Sequence, residues 1–428
     1  MNSAPYMEHL TGMSAPKLWY SNINWEQGKA AQDIRLPQIS NASRDRLVSQ
    51  MDLYQIYLAD RNDLVLLKEA PDPEFLSYLE EEKITIPRVA IGAPSEYTEE
   101  FRNRIAVPYL MDEGEEQFLK ENGGRWIGPP ARLSVELNSK IATRKLCEEI
   151  GLPVSDGTIC EGLDAVRHAC AELEGRHPGA RLVVKTAYGS SGKALFHIHR
   201  GSDLEMLLGY FQRQISRGAS QPVVTVERWH QVERHLTAQL WLGGTNCEIL
   251  AMTEQRITDA GVYRGSRLNP ELPEPLIAAY SERLQQLGKS LHTRGYRGFI
   301  GVDSILDEDG TLIPVIEINA RLTMVTYLLK IRKHLLERGF ARLETQSYDF
   351  KLQPGARFTE FAEKVKSIRI SAEQGGAFLY GFHHDGESAD RPRSCRVSTL
   401  SWGVDDEAEK RARRGLEEAI MEWRGAVV

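Results

Sequence analysis

The segment from Phe299 to Asn319 gathers the polar residues best suited to chemistry in this chain: Asp303, the turn Asp307-Glu-Asp309-Gly310, then Glu317 and Asn319 among apolar neighbours. Asp309-Gly310 signals a tight hairpin turn, because such turns need a positive φ that glycine adopts freely. A two-residue turn would set Asp303 opposite Ile316 and send Glu317 to the other face, so the second strand needs one extra residue. Pro314 cannot donate to a ladder and marks where that bulge would fall. Glu317 and Asn319 share a face in any register. Two carboxylates and an amide oxygen then meet on one side of the hairpin. Mg2+ takes one or two carboxylates together with phosphate oxygens, so Asp303, Glu317 and Asn319 make a candidate magnesium seat. Salt bridging, for instance to Arg321, is the competing account. The Asp-x-Asp-Gly run is not a calcium loop, since no glutamate stands at the closing position.

A second constellation is Val183-Val-Lys185-Thr-Ala-Tyr-Gly189-Ser190-Ser191-Gly192-Lys193. Glycines let backbone N–H groups approach an anion, serine hydroxyls add donors, and the lysines add charge suited to phosphates. An apolar strand follows where a Walker loop would run into a helix, so this is a glycine-serine hairpin, a form also found as a plain surface turn. A third stretch, Val223-Val-Thr-Val-Glu227-Arg-Trp229-His230 with Glu233 beyond, ends a buried strand in groups that suit a purine edge and ribose hydroxyls. Trp229 equally suits a core position.

These stretches need elements to hold them. Leu53–Ala59, Leu64–Lys68, Arg88–Gly92 and Ala106–Leu110 read as short strands alternating with helices at 72–83 and 115–122, an α/β pattern. Ser139 caps a helix in which Ala142, Leu146 and Ile150 recur, and helices are expected at 164–174, 203–216, 275–294 and 324–338. Strands are expected at 181–185, 194–199, 222–228 and 235–242, the Gly261–Arg267 stretch reads as a loop, and strands near 377–382 and 395–404 precede a charged helix. The expected organisation is a tail at 1–16, an N-terminal α/β domain at 17–132, two α+β subdomains at 133–225 and 226–340, and a C-terminal α+β extension at 341–428.

With 428 residues, 41% hydrophobic and 26% charged, the chain is globular and has several domains. Its longest run free of Asp, Glu, Lys and Arg is 13 residues, His235 to Cys247, too short for a membrane span. The start lacks a secretory pattern, which places the protein in the cytoplasm. Five cysteines without a C-x-x-C pair argue against a disulfide framework or thiolate zinc, and a net charge of -7 gives no global attraction to nucleic acid or membrane.

In order, Lys140 after a cap, Lys185 before a Gly-Ser loop, Val-Glu227-x-Trp229 and the Asp303…Glu317-x-Asn319 hairpin resemble the ATP-grasp ligase superfamily over roughly 133–332. The resemblance implies that Lys140 and Lys185 hold ATP phosphates under a loop formed by Gly189, Ser190, Ser191 and Gly192. It implies that Glu227 and the backbone at Trp229 face adenine, that Glu233 binds ribose, and that Asp303, Glu317 and Asn319 hold Mg2+. Arg321 would contact the acyl phosphate or the incoming carboxylate. D-alanine ligase-like members carry an arginine two residues before the first metal aspartate, where this chain has Gly301; Arg321, Arg264 and Arg267 are the candidate replacements.

The layout is similar to amino-acid and peptide ligases of natural-product pathways, which implies an amino acid substrate and an ADP-forming reaction. The acceptor is either an amine or the thiol of an acyl carrier protein, as in amino-acid loading of butirosin-type pathways, and a homodimer is compatible with the likeness. A carrier protein is acidic and would want a local basic face; Lys330, Arg332, Lys333, Arg338 and Arg342, set against Glu337 and Glu344, offer one, although a solvated helix is the commoner origin of such charges. A nucleotide-binding regulatory module without turnover is the alternative, disfavoured by the intact carboxylate trio. Neither a Ser-His-Asp nor a Cys-His arrangement is required; His383-His384 and Cys395 read as structural or accessory groups.

Overall fold

The computed structural model describes residues 7, 12–25, 36, 42–189, 194–244, 246–257, 263–368, 374–386 and 391–425; the expectations resting on Ser190, Ser191, Gly192 and Lys193 lie outside them. The fold is α/β with three sheets. The first is parallel in the order β3-β2-β1-β4-β5, built from β1 (Lys17–Tyr20), β2 (Leu64–Leu67), β3 (Arg88–Ile91), β4 (Ile105–Pro108) and β5 (Arg125–Trp126). All four residues of β2, Leu-Val-Leu-Leu, are buried, as befits a parallel strand covered on both faces. Its central strand, β1, is only four residues headed by a lysine, too little periodicity to be read from sequence. Asp63 fixes it, accepting from Lys17 N at 2.8 Å and Trp19 Nε1 at 2.9 Å.

Leu53–Ala59 is not the expected strand. Gln50–Tyr57 forms a 3-10 helix whose residues 52 to 57 are all buried, and a segment buried all round carries no period to separate the two forms. Asp52 accepts from Lys68 N at 2.9 Å, while Tyr54 and Tyr57 bond to residues late in the chain, Ser398 (2.8 Å) and Tyr380 O (2.7 Å).

The second sheet is antiparallel, order β6-β9-β7-β8, from β6 (Gly157–Glu161), β7 (Leu182–Thr186), β8 (Leu195–Ile198) and β9 (Val223–Arg228). Helices Leu163–Arg176 and Gly201–Ile215 pack on it through Val166, Leu173, Leu207 and Phe211.

The third sheet has eight strands, order β14-β13-β10-β11-β12-β15-β17-β16: β10 (Val232–Leu242), β11 (Cys247–Ile257), β12 (Tyr263–Arg267), β13 (Gly298–Asp307), β14 (Leu312–Asn319), β15 (Arg342–Leu352), β16 (Gly375–His384) and β17 (Arg393–Gly403). Helix Glu274–Thr293 covers one face with Tyr280, Leu284, Leu287 and Leu291. Residues 263–267, expected in a loop, are the strand that joins the two halves of this sheet. A Cβ on Gly265 would stand 1.8 Å from Thr345 O, so glycine is what lets β12 approach β15. Strands β15, β16 and β17 thus extend the same sheet that carries Asp303.

The hairpin β13–β14 pairs Asp303 with Glu317, as the chemistry requires, by a different route from the one expected. Its loop has three residues, closed by Asp307 N to Thr311 O at 2.9 Å, with Gly310 at φ +82°. Ile305 then pairs with Ile313, and the register shifts before Asp303, so the irregularity at Pro314 absorbs two residues rather than one. Among the described residues no helix is long and apolar enough to cross a membrane.

Candidate active site

The site forms where the third sheet meets the second. Asp303 is the most heavily bonded member of the hairpin trio. It accepts from Thr237 Oγ1 at 2.8 Å, Gln255 Nε2 at 2.7 Å and Asn319 Nδ2 at 3.0 Å. Burial and the facing Glu317 nevertheless push its carboxyl up to about 6, against those hydrogen bonds and the nearby charge of Arg321. Two carboxylates on adjacent strands that repel one another call for a cation. The donor set is all oxygen, with two carboxylates and one amide, and leaves positions for phosphate oxygens; that fits Mg2+. Among the described residues no cluster of three or more His, Cys, Asp or Glu gathers anywhere.

Lys140 supplies a cation from the protein itself. Ser139 caps the helix Lys140–Glu149, and Lys140 N donates to Ala187 O at 2.9 Å, which ties the helix start to the segment after β7. The ammonium reaches Glu317 Oε1 at 3.0 Å and Gly189 O at 2.9 Å. Lys185 on β7 lies 2.6 Å from Glu227 Oε2 on the neighbouring β9, and Arg144 holds the other oxygen, Oε1, at 3.2 Å. Burial alone would raise the Glu227 carboxyl; Lys185 and Arg144 reverse the sign and hold it below the ordinary range. The close approach of β6 requires Gly157, where a Cβ would meet Val226 O at 2.2 Å.

Trp229 follows β9 at a half-buried position, its N–H donating to Arg181 O at 2.8 Å and its ring edge-on to His197 at 4.5 Å. Glu233 is exposed, at an irregularity in the β10–β13 pairing. Arg321 follows β14 directly, with its guanidinium 5.4 Å from the centre of the Tyr109 ring, and Leu322 N donates to Tyr109 O at 3.0 Å. A cavity lined by Tyr109, Gly128, Phe299 and Arg321 opens beside them, between the first and third sheets.

Two of the expected arginines do not join this group. Arg267 pairs with Glu254 at 3.2 Å, and Glu254 lies opposite Leu236, one residue from the Thr237 that binds Asp303. Alternation along the strand therefore sets Arg267 on the sheet face away from the carboxylates. Arg264 is exposed on β12, three strands from β13, and its charge helps keep Asp349 low against the effect of burial. The space above Gly301 is filled: an added Cβ would meet Thr323 Cγ2 at 2.7 Å. Thr323 caps the helix Met324–Glu337, and both Thr323 and Thr326 hydroxyls donate to Gln239 at 3.0 and 2.8 Å. An arginine at 301 would collide with that cap, leaving Arg321 as the arginine beside the carboxylates.

Sequence reading missed Thr237, Gln255 and Arg144. Signals existed for two of them. Thr237 is a polar residue on a strand of buried apolar ones, and Arg144 follows Lys140 by one helical turn, on the same face. Gln255 offered none, since it stands among the polar residues Thr253-Glu254-Gln255-Arg256 near the end of β11. The expected basic docking face is largely engaged within the chain. Lys330 pairs with Asp60 at 3.2 Å, Arg332 donates to Leu268 O at 2.7 Å, Arg342 holds Asp406 at 2.6 Å, and Arg338 covers the Phe340 ring at 5.4 Å. His383 and Cys395 are buried; burial drives the imidazole down to about 3 and the thiol upward, which suits structural roles.

Residues 139–325 match the ATP-grasp domain. The chain is 33% identical over 319 residues to a [butirosin acyl-carrier protein]–L-glutamate ligase of Niallia circulans, covering 73% of this chain and 74% of that protein. Two solved structures share the fold. A phosphoribosylamine–glycine ligase from Thermotoga maritima superimposes with TM-score 0.59 at 14% identity, over 94% of this chain and 96% of that one. An N5-carboxyaminoimidazole ribonucleotide synthetase in complex with ADP gives 0.57 at 13%, over 97% and 98%. A hairpin of facing carboxylates, a lysine bound to one of them and a relative matched over nearly three quarters of both lengths lead to one conclusion: this chain belongs to the ATP-grasp ligase superfamily.

Proposed function

We propose that the chain uses ATP to activate the carboxylate of an amino acid as an acyl phosphate and passes the acyl group to the thiol of an acyl carrier protein. The observation that carries this reading is the likeness to the butirosin carrier-protein ligase, which extends beyond the matched ATP-grasp segment to 73% of the chain.

In the first step a carboxylate oxygen attacks the terminal phosphorus of ATP, the bond to the bridging oxygen breaks, and ADP leaves. Lys140 and Lys185 hold the phosphate oxygens, and Arg321 faces the carboxylate and the acyl phosphate it becomes. Asp303, Glu317 and Asn319 would hold Mg2+, which when bound adds positive charge beside the transferring group. Glu227 and the backbone at Trp229 take the adenine, Glu233 the ribose, and Gly189 to Gly192 cover the phosphates. In the second step the carrier thiolate attacks the acyl carbon, the carbon–oxygen bond to phosphate breaks, and inorganic phosphate leaves; the thiol proton goes to solvent. Positioning carries most of this catalysis, because both steps need reacting atoms aligned more than they need a protein nucleophile.

ADP release is measured over a panel of amino acids, with and without pantetheine-bearing carrier proteins, while the carrier is weighed intact. Expected are ADP and phosphate in equal amounts and a carrier heavier by one aminoacyl group. Release of AMP and pyrophosphate overturns the acyl-phosphate step. ADP release that depends on amines and leaves every carrier unmodified overturns the acceptor.

A further inference from the structure

Arg144, one turn beyond Lys140, has no part in the proposed reaction, yet it is among the most constrained side chains near the site. It is buried, and its guanidinium has four partners: Glu148 Oε1 at 2.8 Å, Ser155 O at 3.0 Å, Gly157 O at 2.7 Å and Glu227 Oε1 at 3.2 Å. The two carbonyls lie at the entry to β6, the strand that pairs with β9 opposite Glu227. The guanidinium is therefore pinned from the backbone on one side and holds the carboxylate on the other.

Glu227 is 6% exposed and Lys185 8%, so Arg144, Glu227 and Lys185 form a buried row of cation, anion and cation, with the more exposed Glu148 balancing the second positive charge at the Arg144 end. A buried carboxylate left with one cation clings to it, since little water is present to take its place. Lys185 at 2.6 Å is in that embrace. For Lys185 to turn to a phosphate or share itself with a nucleotide, Glu227 must keep another partner. Arg144 is that partner, and its own anchoring prevents it from following Lys185.

We infer that Arg144 is a positioning residue for nucleotide binding: by holding Glu227 in place, it frees Lys185 to engage ATP without touching the nucleotide itself. This rests on the reading that the site binds ATP through Lys185. Removing Arg144 leaves Lys185 bound to Glu227 and weakens ATP binding. Removing the charge of Glu227 removes the reason for Arg144.

The test is a double-mutant cycle on the full chain, with Mg-ATP affinity read by titration calorimetry so that no acid substrate or acceptor need be known. Arg144→Met is expected to weaken Mg-ATP binding at least tenfold. In a Glu227→Gln background the same change should shift affinity less than threefold, a coupling that loss of packing alone would not produce. Arg144→Lys, which restores charge but not the fork, should recover part of the lost affinity. Where Arg144→Met fails to fold, Arg144→Lys carries the cycle in its place, with the same coupling expected. Equal fold-changes in the two backgrounds, or affinity within twofold of the parent, overturn the inference. A parent chain that binds no Mg-ATP overturns the ATP reading itself, and this inference with it.

Discussion

Lys140 joins the glycine loop to the carboxylate hairpin: its ammonium lies 2.9 Å from Gly189 O and 3.0 Å from Glu317 Oε1. This lysine neutralises a carboxylate proposed as a metal ligand. On the proposed function, Mg-ATP would exchange that contact for phosphate oxygens and keep charge at the hairpin balanced.

Lys140→Met tests the exchange. The methionine keeps much of the stem packing and drops the charge. Glu317 and Asp303 then face each other unrelieved, so the nucleotide-free chain should lose about 1 to 2 kcal/mol of stability, the scale of a charged hydrogen bond. Calorimetric melting checks this, and ATP affinity should fall at least tenfold.

Glu317→Gln removes one of the two repelling charges while keeping size. Fold stability should stay within about 1 kcal/mol, because loss of the Lys140 pair offsets relief of the repulsion. ADP formation should drop by two orders of magnitude or more. Undiminished turnover in the folded variant would refute the metal assignment.

Asp303 sets a pH signature. Its folded value of about 6 lies above the ~3.9 of an unfolded aspartate, so between these values the folded chain holds a proton that the unfolded chain has lost. The group therefore costs nothing below pH 4 and destabilises the empty chain increasingly as pH rises through 6. Asp303→Asn should raise the melting temperature at pH 7.5, by an amount equivalent to about 1 to 2 kcal/mol, and leave it unchanged near pH 4. Mg2+ affinity of the parent should weaken below pH 6 as the carboxyl protonates.

Gly301→Ala places a methyl 2.7 Å from Thr323 Cγ2. Overpacking of this kind costs about 1 to 3 kcal/mol. Thr323→Ser removes the obstructing methyl and keeps the capping oxygen, so the double variant should regain most of the lost stability in denaturant titrations.

The legible parts of the molecule were those where a short stretch carries its own geometry. The Asp309-Gly310 turn announced the β13–β14 hairpin, Ser139 announced the helix that bears Lys140, and Asp303, Glu317 and Asn319 do share a face. The loop length and the shift at Pro314 escaped, since a one-residue and a two-residue irregularity differ only in which partners they satisfy across the ladder. Leu53–Ala59 misled because burial on all sides erases periodicity. Gly261–Arg267 misled for the opposite reason: its glycine and arginines look like a loop, and only Thr345, far along the chain, explains why Gly265 belongs in a strand. Arg267 illustrates the same limit, since its sheet face depends on which residue of β11 it meets.

The hydrogen bond between Tyr54 and Ser398 closes a span of 344 residues. A chain leaving the ribosome at ~5 to 20 residues per second makes the tyrosine on the order of 20 to 70 s before its partner exists. Through that interval the 3-10 segment around Tyr54 and Tyr57 can lie against β1 and β2, but the tyrosine hydroxyls that meet β16 and β17 have no partner strand yet. Slow, late closure follows from contacts so distant in sequence. Overexpression at reduced temperature or with added holding chaperones should therefore raise the yield of folded chain more than any change near Asp303, and a nascent chain stalled before β17 should be the species that aggregates.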